Sequence, residues 1–224
     1  MTSDASWSTT LREITDIERP DHFYLEVEHV CAYFGEYTAR KGWAHSRTNG
    51  IINNLKKPPS KRGTGEWHYK ERAIADVGRA IRANLRSDAL SGITIVPAPP
   101  SKEPTDPEFD DRMHQVAKAM GAGVDVRALL QCRQSRQAAH LSDDRPGPDA
   151  LVENMQIDEA AIGSRSLGST FLVLDDVLVT GATLVACSRV LTSRFPGVSV
   201  LGLFVARRVP ERLLGLDAFE VWDG

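Results

Sequence analysis

The stretch Phe171-Leu-Val-Leu-Asp175-Asp176-Val-Leu-Val-Thr180-Gly181-Ala182-Thr183 decides how this chain is read. Residues 171–174 form a short apolar run, the mark of a strand buried in a parallel sheet. Two acids close the run, and a turn of small residues leads into 183–195, which reads as a helix. Gly181 lets the backbone turn closely around an anion, the amides of residues 180–183 can point into one nest, and the helix start adds its positive dipole end. The hydroxyls of Thr180 and Thr183 can donate to the same phosphate. Asp175 and Asp176 suit the two hydroxyls of a ribose, directly or through bound Mg²⁺. Paired acids after a strand also occur in P-loop nucleotide hydrolases and phospho-receiver domains, but no Gly-x-x-x-x-Gly-Lys-Ser/Thr run is present. A purely structural strand and turn has no need of both acids and both threonines.

Outward from this segment, residues 198–205 read as a second strand and 93–96 as a third, stopped by Pro97, Pro99 and Pro100. Ile74, Val77, Ile81 and Leu85 recur at helical spacing within 70–85, and Met113, Val116, Ala117 and Met120 mark another amphipathic helix. Residues 49–57 read as a helix capped from Thr48 or Asn49 and ended by Pro58-Pro59. Residues 126–130 suit a strand, and near-alternation over 22–34 (Phe23, Leu25, Val27, Val30) suits another, half buried. Residues 1–20 read as a frayed segment or a short docking helix, and 131–150, broken by Pro146-Gly147-Pro148, as a long mobile loop. Strand and helix alternate, so the expected class is α/β with a twisted, mostly parallel sheet and helices on both faces. Ligands bind such sheets beyond the carboxyl ends of the strands, here just after Val96, Leu130, Leu174 and Val205.

The chain has 224 residues, 42% of them hydrophobic and 25% charged, enough for one full core with an appendage. A formal charge of -3 argues against direct binding to nucleic acid or an anionic membrane, so any anion site must be built locally. Cys31, Cys132 and Cys187 are too scattered for a disulfide framework or a zinc pair, and no apolar stretch suggests a signal peptide or a membrane span. The cytoplasm is the expected location. The basic run Lys56, Lys57, Lys61 and Arg62 reads as solvated surface in preference to a contact for RNA or DNA, Tyr33, Phe34 and Tyr37 as core aromatics in preference to a stacking platform for a base, and His114 as a surface or boundary histidine in preference to a ligand.

The segment 172–183 resembles the signature loop of type I phosphoribosyltransferases: an apolar strand, an acidic pair, an apolar pair, then Thr-Thr-Gly-x-Thr. Val179 is the one departure, where that family has Thr or Ser. Ile93-Thr-Ile-Val-Pro97-Ala-Pro99 with Phe109-Asp110, Arg136-Gln137 to Leu141 with Asn154, and upstream Tyr33-Phe-Gly35 and Ile51-Ile-Asn-Asn-Leu55-Lys56, are similar in order to segments of the ComF-type, competence-associated members. The four-cysteine zinc element with which those proteins often begin has no counterpart, since His22, His29 and Cys31 lack ligand spacing.

The resemblance implies a type I phosphoribosyltransferase core over 67–224, a small hood over 21–66 and an accessory segment over 1–20. It implies phosphoribosyl diphosphate or a nucleoside 5′-monophosphate as ligand, with Mg²⁺ as cofactor. Phosphate would be held by Val179, Thr180, Gly181, Ala182 and Thr183, diphosphate by Pro100, Ser101 and Lys102. Asp175 and Asp176 would serve as catalytic and Mg²⁺-binding acids, and Arg133, Arg136 and His140 would sit on a loop closing over the site. Arg207 and Arg208 would face either the crevice or solvent. Transfer to a nitrogen acceptor is the implied activity. Loss of that chemistry would leave a phosphoribosyl diphosphate or nucleotide sensor, and the competence-family likeness also allows an adaptor in nucleic-acid uptake or processing. The acidic spread Glu103 to Asp111 opposes tight diphosphate binding, and dimers are common in the fold.

Overall fold

A computed structural model of the chain describes residues 7–135 and 145–209. In order the elements are β1 (Trp7–Glu13), β2 (Cys31–Thr38), α1 (Arg47–Leu55), α2 (Trp67–Asn84), β3 (Ile93–Pro97), α3 (Arg112–Lys118), β4 (Asp125–Val126) and β5 (Leu130–Cys132). There follow α4 (Pro148–Glu153), β6 (Met155–Ile157), α5 (Glu159–Ile162), β7 (Thr170–Leu178), α6 (Ala182–Arg194) and β8 (Ser199–Val209). Six strands make one sheet in the order β1-β2-β8-β7-β3-β4, parallel throughout except for β1, which runs antiparallel along β2. β5 and β6 form a separate antiparallel pair. The chain is thus mixed α/β with a mostly parallel central sheet.

Side chains alternate across a strand, and β7 shows how one apolar run serves two cores. Phe171 and Val173 join a cluster with Leu184, Val185, Cys187 and Leu191 of α6 and Leu151 of α4. Leu172 and Leu174 enter the opposite cluster with Ile52 and Leu55 of α1, Ile74, Val77 and Ile81 of α2, and Met113 and Val116 of α3. Both faces of the sheet are covered, which is why its central strands read as continuously apolar. The stripe on α2 packs as its spacing predicts. Asn49 is buried and does not cap α1, because its side chain bonds the Thr38 backbone in both directions (2.9 and 3.1 Å); Ser46 accepts from the Asn49 amide instead.

Other expectations are corrected. Residues 7–13 form an edge strand, not a frayed segment or helix: Trp7 stacks on Phe34 at 5.6 Å while most of its neighbours face water. The alternation over 22–34 is not a strand. Residues 22–30 are turns in which only Leu25 of the four apolar residues is buried, and the strand is Cys31–Thr38. This β2 lies inside the central sheet, between β1 and β8. Residues 126–130 are split between β4 and β5, which belong to different sheets. Within 131–150, Gly147 and Pro148 begin α4; proline at a first helical position lacks only an amide hydrogen that would have no acceptor there. No helix among the described residues is long and apolar enough to cross a membrane.

Candidate functional site

The strand order reverses between β3 and β7: from β3 the chain steps outward to β4, and from β7 it steps the other way to β8. At such a point the connections leave the carboxyl ends in opposite directions and open a crevice. A cleft of about 950 Å³ lies there, lined by Pro99, Pro100, Ser101 and Lys102 after β3, by residues 175–183 at the end of β7 and in the turn after it, and by Arg208 of β8.

The turn is held from behind. Gly181 adopts φ +86°, the left-handed region, and a Cβ there would lie 2.7 Å from both Cγ and Cδ2 of Leu25. The Val179 carbonyl accepts from His22 Nδ1 at 2.7 Å, and the Thr180 carbonyl accepts from the Tyr24 amide at 2.9 Å. His22 is fully buried, and burial lowers its pKa, so the ring is neutral with its proton on Nδ1, since a carbonyl can only accept. With two carbonyls tied back toward residues 22–24, the turn is preset to present amides, and the first turn of α6 adds amides that have no intrahelical acceptor. The Thr180 hydroxyl accepts from the Ala182 amide at 3.3 Å. This is a place where an anion can be bound.

The two acids belong to the strand itself, which continues through them to Leu178. Alternation sends them to opposite sides. Asp176 meets the helices: Arg112 at the start of α3 donates to its Oδ2 from Nε at 2.9 Å and from Nη2 at 2.5 Å, and Lys56, just after α1, lies 3.4 Å from its Oδ1. Burial opposes ionisation of Asp176, but Lys56 and Arg112 outweigh it and hold this carboxyl well below the usual range. Arg112 also reaches Asp110 at 3.1 Å, and Asp110 pairs with the buried Lys70 at 2.7 Å. Asp175 has no ion-pair partner among the described residues, and its Oδ1 accepts from the Asp176 amide at 2.8 Å. Burial first, and then the neighbouring Asp176 charge, push its carboxyl up to about 6.

A carboxyl whose folded-state pKa is raised weakens the fold as it ionises. The penalty is absent below the ordinary aspartate value of 3.8 and complete above about pH 6. Asp175→Asn keeps the oxygen that accepts from Asp176. It is expected to raise stability by about 1–2 kcal/mol at pH 8, allowing for access to cleft water, and to change it little at pH 4. Urea unfolding at the two pH values checks this.

The structure brings the turn 179–183, Asp175, Asp176, Pro100, Ser101 and Lys102 to one cleft. Lys102 is engaged there by acids of its own loop, Asp106 at 3.6 Å and Glu108 at 3.7 Å. Arg133 is exposed, away from the cleft lining, and donates to the Met155 carbonyl at 3.3 Å. Arg136 and His140 lie outside the described residues. Arg207 is buried against Glu18 and Glu36, whereas Arg208 faces the cleft. Lys56 is a correction: it is no surface cation but a partner of Asp176. Lys56, Arg112 and Arg145 are cleft residues that sequence reasoning missed, and Tyr37, read as a core aromatic in preference to a stacking platform, also lines the cleft. The one available signal was Arg112, which closes the acidic run 103–111 at the start of a helix. No family model matches this chain, and no curated protein matches it.

Proposed function

We propose that the protein is a type I phosphoribosyltransferase-type protein that binds phosphoribosyl diphosphate and transfers its phosphoribosyl group to a nitrogen acceptor. The observation that carries this reading is the turn at the strand-order reversal, whose carbonyls are tied back by His22 and Tyr24 beside a carboxylate pair. The amides of residues 179–183 and the hydroxyls of Thr180 and Thr183 hold the 5-phosphate, and the acids hold the ribose hydroxyls. Asp175 would suit Mg²⁺, directly or through water, because it has no ion-pair partner among the described residues, whereas Asp176 is already matched by Lys56 and Arg112. An ion held there would supply positive charge to the departing diphosphate. In the reaction the bond from the anomeric carbon to the diphosphate oxygen breaks with its electron pair leaving on diphosphate. A carbon–nitrogen bond forms, and the proton of the nitrogen passes to diphosphate or water. Asp175 lies where positive charge develops on the ribose, and Lys102 and Arg112 line the leaving side.

Calorimetric titration with phosphoribosyl diphosphate, with and without Mg²⁺, tests the reading. Magnesium-dependent binding is expected, with Thr180→Ala/Thr183→Ala weakening it by about tenfold or more through lost hydroxyl donors. No binding to the intact chain overturns the proposal. A second reading, a sensor without transfer chemistry, is favoured by the pairing of Lys102 with Asp106 and Glu108 and by the distance of Arg133 from the cleft lining. Binding with no diphosphate release in the presence of any purine or pyrimidine base identifies that case.

A further inference from the structure

The end of β8 brings a second set of charges into the cleft, on the side of β7 remote from β3. Arg207 pairs in register with Leu178, so Arg208 stands beside the start of the turn 179–183, and its ladder partner on β2 is Tyr37. Arg145, on the approach to α4, lines the same cleft as Tyr37 and Arg208, and its charge is opposed first by burial and then by Arg208. Three further cations lining the cleft are matched by acids: Lys56 and Arg112 by Asp176, and Lys102 by Asp106 and Glu108. The side chains of Arg145 and Arg208 have no hydrogen bond or ion pair with another described residue, although two like charges at one corner repel. Tyr37 is half-buried beside them, and Phe23 presents an exposed ring to the same cleft. Guanidinium groups bind carboxylates and phosphates in a fork and stack on aromatic faces, so this corner suits a planar anion.

We infer that Arg145 and Arg208 hold an oxyanion, carboxylate or phosphate, carried by a planar ligand that lies against Tyr37. Its assignment as the transfer acceptor rests on the phosphoribosyl reading. There the sugar phosphate fills the turn after β7 and the diphosphate lies toward β3, which leaves the β8 side for the acceptor.

Ligand-observed NMR on the full chain with benzoate, phenyl phosphate and benzamide tests the site, compared with an Arg145→Gln/Arg208→Gln variant. At least one anion is expected to bind, benzamide about tenfold more weakly, and the variant is expected to lose about tenfold or more of the anion affinity. The stronger of the two anions identifies the group. Added salt is expected to weaken the interaction. Equal binding of benzamide, retention of anion binding in the variant, or binding of none of the three overturns the inference. Loss of phosphoribosyl diphosphate binding in the same variant assigns the arginines to diphosphate and overturns the acceptor role. If the intact chain ignores phosphoribosyl diphosphate but still binds benzoate through the two arginines, the proposed function fails while the anion site stands.

Discussion

Gly181→Ala is expected to destabilise the protein by about 2–5 kcal/mol and to remove the phosphate binding proposed for the turn. The first part of the cost is conformational, since a Cβ at φ +86° adds about 1–2 kcal/mol. The second is steric. The new methyl would lie 2.7 Å from two carbons of Leu25, a buried residue whose own amide is 3.2 Å from the same point, so the segment behind the turn must move at a cost of about 1–3 kcal/mol. That segment carries His22 and Tyr24, which hold the Val179 and Thr180 carbonyls back, and its displacement releases both. A fall in melting temperature of about 5–15 °C follows from the size of the chain. Gly197 provides the control: it also has φ +86°, but nothing lies within 4 Å of its Cβ position. Gly197→Ala should therefore cost only the conformational part, about 1–2 kcal/mol, and leave ligand binding intact. Scanning calorimetry and titration of both variants separate the two contributions.

Arg112→Ala is expected to cost about 2–4 kcal/mol at pH 7. Arg112 touches Asp176 and Asp110, whose side chains are 7% and 12% exposed, so its removal leaves one buried carboxylate with Lys56 alone and the other with Lys70 alone. Loss of one partner from a buried pair costs about 3–5 kcal/mol; the Arg112 side chain is itself 25% exposed, which reduces that figure. The pH dependence has a definite sign. Asp176 has a depressed folded-state pKa, so its ion pairs stabilise the protein above the ordinary aspartate value of 3.8 and lose that effect as pH falls below it. The difference between wild type and Arg112→Ala is thus largest near neutrality and shrinks on acidification. Asp176→Asn added to Arg112→Ala should recover part of the loss, a coupling of about 0.5–3 kcal/mol, read by urea unfolding of the four-member cycle.

The buried strands and the turn were legible in the sequence because each is written locally. Ile93–Pro97 and residues 171–174 are short apolar runs, and Gly181 announces a left-handed backbone five residues after an unusual acidic pair. Periodicity also located α2 and α3, whose stripes face a sheet. The misread pieces have the opposite character. Trp7–Glu13 is an edge strand whose polar residues face solvent, so alternation barely marks it. Phe23 and Val27 alternate with Leu25 only by chance of composition; they are exposed in a turn, and hydrophobicity alone cannot distinguish the two cases. The electrostatics of the site were hidden for a further reason. Asp176 takes Lys56 from the end of α1 and Arg112 from the start of α3, and an ion pair between distant segments has no period along the chain. The run of basic residues at 56–62 looked uniform, yet only the fold separates Lys56 from its neighbours.

The sheet order bears on the route by which this molecule folds. β8 lies between β2 and β7, with Cys31 paired to Gly202 and Leu174 to Leu203, so the strand that comes last among the described residues occupies a central slot. β1 and β2, however early they meet, have no place beside β7 until β8 has been inserted. Contacts of such sequence separation close slowly, because chain entropy is lost before they reward it. The grip of His22 and Tyr24 on the turn after β7 bridges the same gap, joining one end of the described chain to the other. An assembly intermediate can therefore own a complete β3–β7 crevice and a complete α6 while the turn after β7 still lacks a back wall, and the preset backbone of that turn arrives together with the closing of the sheet.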